Sequence, residues 1–313
     1  MSSPSQRTMQ AASTAPDDTL RPRYRGPRTR RAAARRPVID LAAITSNLQP
    51  GPDGLWHPRS RSAFDYPDEG NSFCFQVEDH SFWFQHRNAC ILDAVRRLPP
   101  AGPIFDIGGG NGFVARALVQ AGYQAVVVEP GLTGARNAQA RGLAPVVCAA
   151  LDDAGFAPGT MPAAGLFDVL EHMADDSGVI EQLARLLPRG GRLYLTVPAY
   201  QWLWSTDDDL GGHHRRYSAR RLRRVVEAGG FVAEYATQIF WPLPLPILLL
   251  RALPSRLGIR PKADVDAIRQ ELQPQGSAGV KVLEALLAVE ACWLRRGGRL
   301  PFGGSCLMVA RRA

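Results

Sequence analysis

A chain of 313 residues, 45% of them hydrophobic, has enough apolar material for one large core, so a catalytic domain is within its reach. The formal net charge of +8 sits almost wholly in the first 36 residues, where nine arginines face only Asp17 and Asp18. The remainder is near neutral, so the total does not describe a basic nucleic-acid face, and no nucleic-acid partner is expected.

Five cysteines without CxxC spacing argue against a disulfide framework or a zinc knuckle. A cytoplasmic protein with no metal ligand set is the expectation. No run reaches the roughly 18 to 20 apolar residues of a bilayer span. No apolar stretch follows the early arginines, so a cleaved secretory signal is not expected either.

In chain order, residues 1–37 combine five prolines with arginine and small polar residues, a composition that predicts a disordered basic tail. Residues 38–102 read as an aromatic-rich lead-in and cap. They concentrate Phe73, Phe75, Phe82, Trp83 and Phe84 just before a predicted helix, Arg87 to Leu98. From 103 onward strands and helices alternate. The strands are predicted at Pro103–Ile107, Ala125–Glu129, Pro145–Cys148, Gly165–Leu170, Arg192–Val197 and Val232–Gln238, with Cys306–Ala310 as the last. Such alternation predicts a doubly wound, Rossmann-like sheet with crossover helices over 103–313. An insertion at about 239–304 holds an apolar, proline-broken run, Phe240 to Leu253, and a predicted helix, Val280 to Leu294.

The segment Ile104-Phe105-Asp106-Ile107-Gly108-Gly109-Gly110-Asn111-Gly112 is a buried strand that runs into glycines and then a helix. There a ligand can lie against bare backbone. Position 113 is Phe where a dinucleotide site needs its third glycine, so the spacing is GxGxG. Glu129 ends the next apolar strand, where a carboxylate can accept both hydroxyls of a ribose.

These residues resemble the class I S-adenosylmethionine-dependent methyltransferases, and the likeness extends from Ile104 to Phe231. Two further stretches carry it: Phe167-Asp168-Val169-Leu170-Glu171-His172 and Leu187-Pro188-Arg189-Gly190-Gly191-Arg192-Leu193. The resemblance implies a seven-stranded sheet whose last strand is antiparallel, with S-adenosyl-L-methionine as cofactor. It places Asp106, Gly108, Gly109, Gly110 and Gly112 at the amino acid part of that cofactor, Glu129 at the ribose, and Pro130 on the adenine side. Asp168 joins this set. Many members carry an acid after the third strand; here the stretch is Cys148-Ala149-Ala150-Leu151, so adenine falls to Leu151, backbone groups or Asp152. Within the family, Val197-Pro198-Ala199, Leu203-Trp204-Ser205, Asp208 and Gly212-His213-His214-Arg215-Arg216-Tyr217 resemble a group of bacterial members with a VPA…LWS…D…GHxRRY motif. Either His213 or His214 can face the site.

Methyl transfer needs the acceptor positioned and, for a hydroxyl, its proton removed. His172 and His213, each after a strand end, are the candidate catalytic residues, with Tyr217 beside them. Arg215 and Arg216 fit a carboxylate or phosphate of the acceptor, or a salt bridge to Asp207, Asp208 or Asp209. Trp204 fits an acceptor wall, and Trp202 is expected to pack. Phe82, Trp83 and Phe84 read as a lid or as ordinary apolar cover. The Phe240–Leu253 run is an apolar cap, a dimer contact, or a segment that dips into a membrane interface.

The expected acceptor is therefore a small molecule or a lipid-linked, glycan-pathway compound, with peripheral contact to the inner membrane through 239–256 or an oligomer contact as further expectations. An NAD(P)-dependent oxidoreductase and a catalytically inactive, membrane-associated relative are the rival readings.

Overall fold

A computed structural model describes residues 39–60, 74–259 and 278–313. The basic tail, Phe73 and the middle of the predicted insertion lie outside the described residues.

The described strands are β1 (Leu48–Pro50), β2 (Trp56–Pro58), β3 (Ile104–Ile107), β4 (Ala125–Val128), β5 (Val146–Val147), β6 (Ala163–Phe167), β7 (Arg192–Pro198), β8 (Phe231–Ile239) and β9 (Ser305–Arg312). They form one nine-stranded sheet in the order β1-β2-β5-β4-β3-β6-β7-β9-β8. β3 to β7 are parallel neighbours, and β9 runs antiparallel between β7 and β8. The two strands beyond the expected seven form a hairpin from the turn-rich lead-in. Short and weakly patterned, it pairs with β5 through a single register position, Trp56 opposite Val147.

Why the sheet is covered on both faces is legible in β3 and β4, whose residues are all buried. Side chains alternate across a strand. Phe105, Ile107, Val126 and Val128 therefore enter one core cluster with Ile180 and Leu183 of the helix Asp176–Leu186. Ile104, Ala125 and Val127 enter the other, with Val114 and Leu118 of the helix Phe113–Gln120.

Most boundaries shift by a residue or two, and two of the shifts bear on the site. The helix over 87–98 begins earlier, at Phe82, with Ser81 as N-cap residue, so the aromatic cluster forms its first turn. Trp83 there stacks on Phe240 at 3.9 Å between ring centroids. The strand read as Gly165–Leu170 ends at Phe167, because Asp168 turns the backbone to a φ of 56° and a 3-10 turn, Leu170–His172, follows.

Candidate active site

β4 and β5 are laid down on one side of β3, and β6 and β7 on the other, so the crevice beyond the carboxyl ends of β3 and β6 is where the strand order reverses. Ligands of open α/β sheets bind at that position. Backbone strain gathers at the same edge. Asp168, Tyr200 and Phe240, the non-glycine residues of positive φ among those described, directly follow β6, β7 and β8 or lie two residues beyond.

The loop after β3 shows why glycines stand there. Gly108, Gly110 and Gly112 all have positive φ. Gly109 has none, yet a Cβ on it would lie 3.0 Å from both the Asp106 carbonyl and a Val127 methyl. A Cβ on Gly108 would meet Val169 at 2.9 Å, so this loop and the one after β6 are in contact.

Glu129 is buried at the end of β4 and fastens the loop: its Oε2 accepts the Gly110 N–H at 2.8 Å, and its Oε1 the Gly131 N–H at 2.9 Å. Asp106 is also buried, and its Oδ2 has no hydrogen-bond partner in the protein. Burial pushes its carboxyl up to about 7, against the opposing pull of Arg87.

Arg87, on the helix Phe82–Arg97, donates to Asp168 Oδ2, while its own Nε and Asp168 Oδ1 are buried without partners. More of the lead-in closes on the glycine loop. Arg141 Nη1 donates to buried Glu78 at 2.8 Å and to the Asn111 carbonyl at 3.2 Å, and Arg116 donates to Asp79.

Across the crevice, the stretch Ser205–Tyr217 is organised by Asp208. This buried carboxylate caps its own helical turn through the Ser205 N–H at 2.9 Å, and it takes His213 Nδ1 at 2.8 Å and Arg216 Nε at 2.7 Å. The His213 ring meets the His172 ring edge-on at 4.7 Å between centroids. Burial, with His213 next, lowers His172 to about 4, so it is neutral at ordinary pH. Next to it, Glu171 is buried with its Oε2 unpartnered, and burial together with Asp168 holds its carboxyl well above the usual carboxylate range.

The sequence of residues 83–236 matches the family model of a methyltransferase domain. The chain carries a methyltransferase domain. A domain of this kind implies S-adenosylmethionine as the methyl donor. A methyltransferase of Haloferax volcanii, solved with the Trm112 methyltransferase activator, has the same fold at a TM-score of 0.50 and 18% identity, with 78% of this chain and 95% of that one covered. Phosphoethanolamine N-methyltransferase 2 of Haemonchus contortus, solved with S-adenosyl-L-methionine, is similar at a TM-score of 0.48 and 16% identity over 80% of this chain and 58% of that one. A search of curated proteins finds no match.

The residues present fit that cofactor. Its ammonium group needs a buried acceptor, and Asp106 Oδ2 is one without a partner. The methyltransferase site departs from expectation in several side chains. Tyr217 is wholly buried, its hydroxyl donating to Asp176 Oδ2 at 2.9 Å, which removes it from the candidate catalytic set. Arg216 takes the salt-bridge alternative, to Asp208, and also donates to the Ala199 carbonyl, whereas Arg215 pairs with Asp176 at 2.8 Å and not with Asp207 or Asp209. These arginines brace the loop. Trp204 is half-buried and donates to Asp209 at 3.1 Å. Trp202, expected to pack, is 39% exposed and stacks on Tyr200. His214 is exposed, and only its backbone N–H reaches inward, to the Glu171 carbonyl at 2.8 Å. Leu151 is half-buried against the core beside the end of β5, whereas Asp152 is exposed and accepts from Gln182 at 2.6 Å.

Sequence reasoning gave no role to Arg87, Glu78 or Glu171. Glu171 lies within a quoted motif and Arg87 opens the predicted helix, but only the fold sets Arg87 against Asp168, 81 residues away.

Proposed function

We propose that this methyltransferase domain methylates a lipid-linked acceptor presented at a bilayer surface. The observation that carries the reading is an apolar shelf beside the crevice. Leu245, Leu249, Leu253 and Leu257 recur every four residues along a helical run built from Pro244–Ile247, Leu248–Ala252 and Leu253–Arg256. That spacing puts them on one side. Leu245 is 61% and Leu249 52% exposed, more than a cap over the crevice would leave open. The run is tied to the acceptor side, since Arg256 donates to the Trp202 carbonyl at 2.7 Å and Thr206 N–H to Ser255 at 3.3 Å. Trp202, Phe302 and Trp241 add exposed aromatic rings, and between Ile239 and Ile259 there are two arginines and no acid. A leucine face with aromatic edges suits a membrane interface. No helix among the described residues is long and apolar enough to cross a membrane.

In this reading S-adenosylmethionine supplies an electrophilic methyl group. Asp106 accepts its ammonium group, the Gly108–Gly112 backbone lies against its amino acid part, and Glu129 takes the ribose hydroxyls. Pro130 and Leu151 border the adenine, and Asp168 with Arg87 closes the floor of the crevice. His172 and His213 meet the acceptor and orient it.

The test uses methyl-labelled S-adenosylmethionine with separate lipid and water-soluble extracts as acceptor sources. Label that partitions into organic solvent, lost together with sedimentation on phosphatidylglycerol vesicles in a Leu245→Glu, Leu249→Glu variant, is the expected result. Label found only in the water-soluble extract assigns a small-molecule acceptor instead. Self-association that disappears in the same variant assigns the shelf to a second copy of the chain.

A further inference from the structure

We infer that Glu171, His172 and His213 form a binding site for one divalent transition-metal ion of the zinc type, at the acceptor end of the crevice. The inference rests on the reading that this edge receives the acceptor.

One ligand atom from each residue, a carboxylate oxygen and two ring nitrogens, lies within 4.8 Å of the others. Zinc binds imidazole nitrogen and carboxylate oxygen at roughly 2.0 to 2.2 Å, so its ligand atoms sit roughly 3 to 4 Å apart and the cluster needs little contraction. Two histidines with one carboxylate are a donor set for zinc or iron that leaves a coordination position open.

Two further features point to an ion and not to packing. Glu171 is 1% exposed, and its Oε2 has no partner in the protein, so a buried acceptor is left without a donor. Asp208 takes His213 Nδ1 at 2.8 Å, and Arg216 fixes Asp208 in turn. A carboxylate that receives one ring N–H leaves the other nitrogen with its lone pair free, the arrangement that commonly supports a metal-bound histidine.

The other cluster of this kind among the described residues, His86, Cys90 and Glu290, makes the contrast. Glu290 already accepts the Phe240 and Trp241 N–H groups, each at 2.7 Å, and His86 as well, which is a satisfied structural carboxylate. Glu171, by contrast, keeps one carboxylate oxygen, Oε2, without a donor. Cysteine spacing could not reveal the site, because none of its ligands is a cysteine and His213 is distant in sequence from Glu171 and His172. The side chain of His213 is 20% exposed, so the open position would be accessible to an oxygen or nitrogen of the acceptor.

The test is equilibrium dialysis of the chelator-stripped full chain against zinc, with S-adenosylhomocysteine affinity measured in the same samples. One zinc per chain is expected at micromolar concentration. Glu171→Gln and His213→Asn are each expected to weaken it at least tenfold and to leave S-adenosylhomocysteine affinity unchanged. Should the buried Glu171→Gln fail to fold, His213→Asn, at a partly exposed position, carries the comparison. No stoichiometric zinc in the wild type, or undiminished zinc in either folded variant, overturns the inference. A chain that binds S-adenosylhomocysteine and no zinc refutes the metal site alone, whereas one that binds neither refutes the cofactor reading as well.

Discussion

The carboxylate of Glu129 holds the backbone N–H of Gly110 at 2.8 Å, so the acid that ends β4 and the glycine loop that follows β3 behave as one unit. The same carboxylate also holds Gly131, which positions the entry to the next helix. A carboxylate has several acceptor positions, and in the proposed reading this one also receives the ribose hydroxyls.

Glu129→Ala therefore removes the loop's anchor and, in the proposed reading, the ribose acceptor. Hydrogen bonds to charged groups contribute about 1.5 to 3 kcal/mol each, so affinity for S-adenosylhomocysteine should fall at least tenfold by calorimetry. Unchanged affinity would contradict the ribose role.

Asp106 gives a pH dependence. Burial pushes its carboxyl up from an ordinary 3.8 to about 7, with Arg87 pulling it down and Glu129 adding a smaller upward push. A raised acid keeps a proton that the unfolded chain releases, so this group's contribution to stability falls as pH climbs from about 4 to about 7 and is level above that. A ligand ammonium favours the ionised carboxylate. Cofactor affinity should thus rise with pH up to about 7, with proton release on binding below it. Titrations in buffers of different ionisation enthalpy measure that release, and Asp106→Asn should abolish it.

Arg87 pairs with Asp168 where both side chains are mostly shielded. Removing one partner of a buried pair leaves an uncompensated charge, at a cost on the order of 3 kcal/mol. Arg87→Met should lower the unfolding free energy by about that amount and shift the Asp106 pH dependence upward. Denaturant unfolding and the same calorimetric series check the two effects.

Tyr217→Phe separates support from catalysis. The hydroxyl bonds to Asp176 in the core, so its loss should cost about 1 kcal/mol of stability and leave kcat/KM within a factor of two to three. A fall of a hundredfold in kcat/KM with normal stability would return Tyr217 to the active site.

Much of the architecture was legible because buried parallel strands announce themselves: Ile104–Ile107 and Ala125–Val128 are unbroken apolar runs but for Asp106, and that exception lies in the site. The β1–β2 hairpin was not legible, since strands of three residues carry too little period to stand out from a turn-rich segment. Glu129 and the glycines stand along one stretch of chain, where spacing alone singles them out. Residues whose partners are remote in sequence are not singled out in this way. The motif Gly212–Tyr217 read as acceptor chemistry or as a salt bridge for its arginines, and Arg216 makes the bridge, to Asp208; Tyr217 faces inward because Asp176, 41 residues away, lies on an element that only the fold brings beneath it.

The most direct test of the account is calorimetric titration of the full chain with S-adenosylhomocysteine, with NADH as the comparison. Micromolar binding of S-adenosylhomocysteine at one site, with no heat from NADH, is the predicted result. Binding of NADH, or of neither compound, would contradict it.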